Sequence, residues 1–142
     1  MPDPRETDDA RRRFHARPLR ELGRDVRLAA GEALFTSGQI GNTMYFIVSG
    51  CVHLAESGVD LGPGSFVGEI AIHSPDAQRT QSAAATAETR LIELSRDSIP
   101  ALHRRFPDLG LHLLRLVTSR LLENAVRLRA PADTRESAHC AA

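Results

Sequence analysis

The chain has 142 residues, a length that suggests one domain able to bury roughly two-thirds of its unfolded surface. Apolar residues make up 42% and charged residues 25%, the balance of a soluble globular protein. Lys+Arg and Asp+Glu number 18 each, so the formal net charge is zero, which weighs against nucleic acid as the main partner.

Two cysteines, Cys51 and Cys140, lie far apart and make no disulfide framework or zinc knuckle. No apolar run is long enough to span a membrane, and the polar start (MPDPRETDD) is not a secretory signal. A reducing cytoplasm is the expected location.

Residues 1 to about 9 are acidic and Pro-bearing and read as a polar lead-in. Residues 10–22 carry Phe14, Leu19 and Leu22 at weak helical spacing, with Pro18 inside, so a short or broken helix is expected. The run Arg11-Arg12-Arg13, beside Asp8 and Asp9, reads as a solvated helix start.

From Val26 the apolar period becomes two. Short runs follow at Val26–Leu28, Ala33–Phe35, Met44–Val48, Val52–Leu54 and Val59–Leu61. Each is bounded by turn residues, among them Gly31, Ser37-Gly38, Gly41-Asn42, Ser49-Gly50 and Gly62-Pro63-Gly64. Two more strands are expected at Arg79–Ala85 and Arg90–Leu94. Many short strands with Gly at each break predict a β-sandwich or barrel.

After Leu94 the period returns to 3.6. Ser95 predicts an N-cap for a helix from about Arg96 to Arg105, and Pro107 the first turn of a second helix to about Arg129. That second helix has two apolar stripes. Leu109, Leu113 and Leu116 form one; Leu114, Val117, Leu121 and Leu128 form the other, with Asn124 in its seam. One stripe can pack on the roll. The other predicts a second copy of the chain. Residues 130–142 read as a loose tail.

Within the roll, before its last two strands, lies the stretch Phe66–Thr80, FVGEIAIHSPDAQRT. Gly68 lets backbone approach closely. The N–H groups after it open a short helical turn and have no intrahelical partner, an arrangement that attracts an anion. Arg79 supplies a charged planar fork suited to phosphate. Glu69 would be repelled by a phosphate and fits a hydroxyl. A ligand with a phosphate and a free sugar hydroxyl satisfies all of them. The ordinary alternative is a surface ion pair between Glu69 and Arg79, worth about 0–1 kcal/mol.

The Gly-punctuated β-roll, the Gly-Glu turn with a following Arg, and the two terminal helices together resemble the cyclic nucleotide-binding domain. That family includes the bacterial catabolite activator protein, protein kinase A regulatory subunits and cyclic nucleotide-gated channels. The resemblance covers about Val26 to Arg129 and shows in GEALFTSGQIGNTMYFIVSG, in LGPGSFVGEIAI and in the RT after the loop. It implies a mainly β fold with C-terminal helices: a double-stranded β-helix (jelly roll, cupin-like), flanked by an N-terminal helical segment and two C-terminal α-helices. The implied layout is a lead-in over 1–24, the binding domain over 25–129 (roll 25–94, helices 95–129) and a tail over 130–142.

The family's phosphate-binding cassette falls on Phe66 to Thr80. Gly68 and Glu69 match the pair that meets the ribose 2'-hydroxyl. The Ile70 and Ala71 amides would face the phosphate, and Arg79 would pair with its charge. Thr80 matches a small hydroxyl residue that touches phosphate or base. The position that contacts the base from the partner subunit's helix falls near Asn124. The Glu-to-Arg spacing of ten is similar to that of the catabolite activator group. The resemblance implies a cyclic nucleotide-binding regulatory module, leaning to cAMP over cGMP, that changes C-terminal helix position on binding. A homodimer through the last helix is expected from its second stripe, with a protein effector as a further candidate partner, no cofactor beyond the nucleotide and no metal.

Gln81 departs from the family, which usually has a small residue there. Residues 130–142 are too few for a helix-turn-helix, so direct DNA binding is not expected. Cys51 and His53 have a suggestive C-x-H spacing but read as ordinary strand. His73 reads as a solvent-facing loop residue. The six histidines show no cupin-type His-x-His pair, and no catalytic triad or carboxylate pair is evident, so an enzyme is not expected. The competing reading keeps the fold but not the ligand. It is a degenerate module that binds protein or dimerises, or the sensing part of a larger channel, transporter or regulator.

Overall fold

The computed structural model describes residues 16–129. The lead-in, the first part of the N-terminal helical segment with its three arginines, and the tail lie outside the described residues. A short helix, α1 (Ala16–Arg20), opens the described chain. Eight strands follow in order: β1 (Arg24–Leu28), β2 (Ala33–Phe35), β3 (Thr43–Ser49), β4 (Val52–Leu54), β5 (Val59–Leu61), β6 (Phe66–Val67), β7 (Ala83–Ala85) and β8 (Thr89–Ser95). Helix α2 (Glu69–His73) interrupts them between β6 and β7. A 3₁₀ turn (Arg96–Ser98), α3 (Ile99–Arg105) and α4 (Pro107–Arg129) close the chain.

The strands form two four-stranded sheets, ordered β1-β8-β3-β6 and β2-β7-β4-β5, with antiparallel pairing throughout. This is the expected roll of β-structure with helices at both ends. The central strands β3 and β8 bury both of their faces, because successive side chains point to opposite sides. Met44, Phe46, Ile92 and Leu94 meet Leu19, Leu102, Leu109 and Leu113 of the helices. Tyr45, Ile47 and Leu91 meet Val52, Leu54, Ala83 and Ala85 of the second sheet. Each fully buried Leu, Ile or Phe contributes about 1.5–3 kcal/mol relative to exposure.

Two expectations need correction. The strand expected from Arg79 begins only at Ala83. Residues 77–79 instead bond to the loop after β2: Gly41 N–H donates to Ala77 O, Arg79 N–H to Gln39 O and Gly38 N–H to Arg79 O. The chain there is fastened to a neighbouring loop rather than to a sheet. Ser95 is not a side-chain cap either. A 3₁₀ turn intervenes, Ser98 Oγ donates to Ser95 O at 2.7 Å, and the α-helix starts with Pro100 in its first turn. A proline costs no bond there. The last helix has the expected limits, and Leu109 and Leu113 of its first stripe are buried.

Candidate functional site

The site grows from the end of β6. Strand pairing to Tyr45 and Phe46 holds Phe66 and Val67, and Gly68 then turns the chain with φ +83° and ψ 8°, a left-handed conformation that favours glycine. Helix α2 begins at once with Glu69. Its opening N–H groups, including those of Ile70 and Ala71, have no carbonyl one turn back to bond.

Arg79 reaches the same place from the loop after α2. It is only 6% exposed. Its Nη1 donates to Gly68 O at 3.2 Å and its Nη2 to Thr43 Oγ1 at 3.0 Å. The guanidinium carbon lies 4.2 Å from the centre of the Phe35 ring, a cation–π contact. Two glycines make room for it. A Cβ on Gly41 would sit 2.1 Å from Arg79 Nε, and one on Gly68 would sit 2.6 Å from Nη1. Burial lowers the Arg79 pKa from its ordinary value, while Tyr45, Glu69 and Glu93 oppose that shift. The guanidinium stays charged at neutral pH.

Glu69 is 1% exposed. It does not pair with Arg79. Its Oε1 instead accepts from Arg120 Nη1 of α4 at 2.6 Å, and the same nitrogen donates to Phe66 O at 2.9 Å. The second oxygen, Oε2, is buried and has no hydrogen-bond partner among the described residues. A buried carboxylate oxygen without a donor is unfavourable, and such orphans concentrate where a ligand completes them.

Gly68, Glu69, Ile70, Ala71, Arg79 and Thr80 line one narrow cleft with a cavity volume of about 30 Å³. Phe35, Leu54, Val67, Gln81 and Arg120 complete its walls. The Phe66 ring, in contrast, belongs to the core, 5.1 Å from the Phe46 ring. Asn124 stands at the edge, where its Oδ1 lies 3.5 Å from Gln81 Nε2. Sequence reasoning missed Arg120 and the glycine cradle at Gly41. The signal for Arg120 was its place one turn before Asn124 on one helix face.

Two other readings come out differently. His73 is not a solvent-facing loop residue. It ends α2, half-buried, with Nδ1 2.7 Å from Glu69 O and its ring edge-on to His103 at 5.7 Å. Of the C-x-H pair, only His53 lies in a strand, with Nδ1 2.7 Å from Asp60 on the paired strand; Cys51 precedes β4 and is not a free thiol.

The cleft thus sets a charged fork, a short helix start and a half-satisfied carboxylate side by side on a β-roll. A family profile described as the cyclic nucleotide-binding domain matches residues 25–106, more than half of the chain. The chain belongs to the cyclic nucleotide-binding domain family. Within it, the domain is 32% identical over 106 residues to the cyclic AMP receptor protein of Thermus thermophilus, covering 69% of this chain and 49% of that one. It is 30% identical over 104 residues to the CRP-like cAMP-activated global transcriptional regulator of Mycobacterium tuberculosis, with 68% and 46% covered. Among solved structures, one from work on a cyclic-GMP-dependent signalling pathway that regulates bacterial phytopathogenesis is 33% identical, with a TM-score of 0.67 and 78% and 96% covered. The domain spans about half the length of the two curated relatives.

Proposed function

We propose that this chain is a regulatory module that binds a cyclic nucleotide in the cleft and answers by changing the position of α4. One observation carries the reading: the buried Glu69 has one oxygen engaged by Arg120 and the other unpartnered, in the same cleft as Arg79. A ribose hydroxyl can donate to that oxygen. The cyclic phosphate can take the Ile70 and Ala71 amides and the fork of Arg79, with Thr80 beside it. Arg79 uses two of its five N–H donors on Gly68 O and Thr43 Oγ1, so donors remain in the fork for a phosphate. A ligand shifts α4 only by binding its two positions unequally. The Arg120–Glu69 bond supplies such a difference, because the ligand and α4 share one carboxylate.

The second part of the proposal concerns what α4 meets. Leu114 is 63% exposed, and Leu121, Leu122 and Val126 are exposed with it. Leu114 and Leu121 are the stripe left over by the roll. A second copy of the helix covers it most simply, with a protein effector as the other route of output. The names of the relatives, a receptor, a regulator and, in Rhizobium etli, a cyclic nucleotide-gated potassium channel, support a non-enzymatic role. A cytoplasmic location belongs to the same proposal. Among the described residues no helix is long and apolar enough to cross a membrane. The relatives named for cAMP support an adenine ligand.

The test is calorimetric titration with cAMP, cGMP and cyclic di-GMP, with Arg79→Ala as control. Micromolar or tighter binding of a cyclic nucleotide, lost in the variant, is the expected result. No binding of any of the three overturns the proposal in favour of a protein-interaction module.

A further inference from the structure

The phosphate and sugar of a cyclic nucleotide occupy the part of the cleft formed by Gly68, Glu69, Ile70, Ala71 and Arg79. The polar side chains left on its walls are Thr80, Gln81 and Arg120. Arg120 is already held by Glu69 and the Phe66 carbonyl. Gln81 is different. It is 8% exposed, and it joins three separate parts of the fold. Its Oε1 accepts from the Ser57 N–H at 3.1 Å, in the turn between β4 and β5, and its Nε2 reaches Asn124 of α4 at 3.5 Å.

The Ser57 contact decides which way the amide faces. A backbone N–H only donates, so the atom against it must be the amide oxygen. The nitrogen is then directed to α4, and Gln81 is also one of the residues that line the cleft. It carries two hydrogens, and Asn124 takes one of them over a distance at the long end of hydrogen bonding. Gln81 therefore turns its oxygen to the Ser57 N–H and keeps one amide hydrogen beyond the Asn124 contact to donate. Purines differ at that point of their chemistry. A 6-oxo purine presents an acceptor on its six-membered ring, where a 6-amino purine presents a donor.

We propose that Gln81 is a specificity-determining residue that donates through Nε2 to the 6-oxo group of the bound base, so that the domain favours guanine over adenine nucleotides. The inference rests on the cyclic nucleotide reading of the cleft. It departs from the cAMP lean of the resemblance on the ground of this chain's own residue. With guanine in place, Gln81 Nε2 bridges the base and Asn124, and so ties the base to the long helix.

Titration with cGMP, cIMP and cAMP tests it. Cyclic IMP keeps the 6-oxo group without the 2-amino group, so it isolates the contact in question. The wild-type protein is expected to bind cGMP and cIMP about tenfold more tightly than cAMP, the size of one well-made hydrogen bond. Gln81→Ala is expected to bring the three together. Gln81→Glu keeps an oxygen for Ser57 and replaces the donor with an acceptor, so the preference turns toward cAMP. Thermal melts confirm that both variants fold. Equal or tighter wild-type binding of cAMP, or an unmoved ratio in both variants while all three still bind, overturns this inference and leaves the binding module standing. Binding of none overturns both.

Discussion

Arg120 on α4 donates to the buried carboxylate of Glu69 at 2.6 Å, across 51 residues of chain. The side chains are 15% and 2% exposed, so the carboxylate is buried and the guanidinium partly so. Breaking one side of such a pair costs about 3–5 kcal/mol, because the other charge stays buried alone. Glu69→Gln is expected to lower stability toward that size in urea unfolding. The double variant Glu69→Gln/Arg120→Gln should lose less than the sum of the two single changes. Additive losses would show that the contact is not energetically coupled.

Arg79→Lys should weaken nucleotide binding although the charge is kept, since the planar fork is lost. A loss of about tenfold or more by calorimetry is expected, on the scale of one charge-assisted hydrogen bond. Unchanged affinity would contradict the role assigned to the fork.

Gly41→Ala tests the cradle without touching the ligand. Its Cβ would stand 2.1 Å from Arg79 Nε, the nearest atom of a flexible side chain. The side chain has to move, so the fold survives and binding falls. A melting temperature within a few degrees of wild type, with affinity reduced about as much as in Arg79→Lys, is the expected pattern. Wild-type affinity would mean that Arg79 need not lie in this nest.

Acid should destabilise the domain through its histidines. His103 is pushed down first by burial and then by His73; His112 is pushed down first by burial and then by Arg120 and Arg115. With folded pKa values below the unfolded value of about 6.5, the unfolded chain binds more protons under mildly acidic conditions. The contribution of these residues is therefore fully present above that pH and is lost as pH falls through the folded values. Melting temperatures between pH 7.5 and pH 5 should decline, and His103→Asn with His112→Asn should flatten the decline. An identical slope in the variant would assign the effect to other groups.

Leu114→Glu and Leu121→Glu should convert an α4-mediated dimer to a monomer in light scattering. Both positions are exposed, at 63% and 48%, so folding is expected to be kept. A monomeric wild-type protein would leave the stripe to another partner.

The strands were legible because each apolar pair of turns is cut by glycine or a polar turn, and the period changes cleanly from two to 3.6. The last helix was legible because Pro107 marks its start and Leu109 and Leu113 its buried face. Other features depended on tertiary contacts. Nothing local shows that residues 77–79 bond to the loop at 38–41. His73 reads as loop in sequence and becomes a packed ring only because α3 brings His103 beside it. The ion-pair alternative for Glu69 had a correct element with the wrong partner: the carboxylate does pair, but with Arg120. Gln81 was visible as a departure, and only the Ser57 contact gives that departure a direction.

The central strands β3 and β8 face two separate clusters of apolar side chains, one closed by the helices and one by the second sheet. Detaching the helices exposes the first cluster and leaves the second, with its strand pairing, in place. The domain is therefore expected to loosen its helical side in a partial opening below the free energy of global unfolding. In a hydrogen-exchange experiment this divides the amides into two classes. Those of α3 and α4 exchange through the partial opening, at rates a bound ligand can slow. Those of β4, β7 and the middle of β8 exchange only when the whole molecule comes apart.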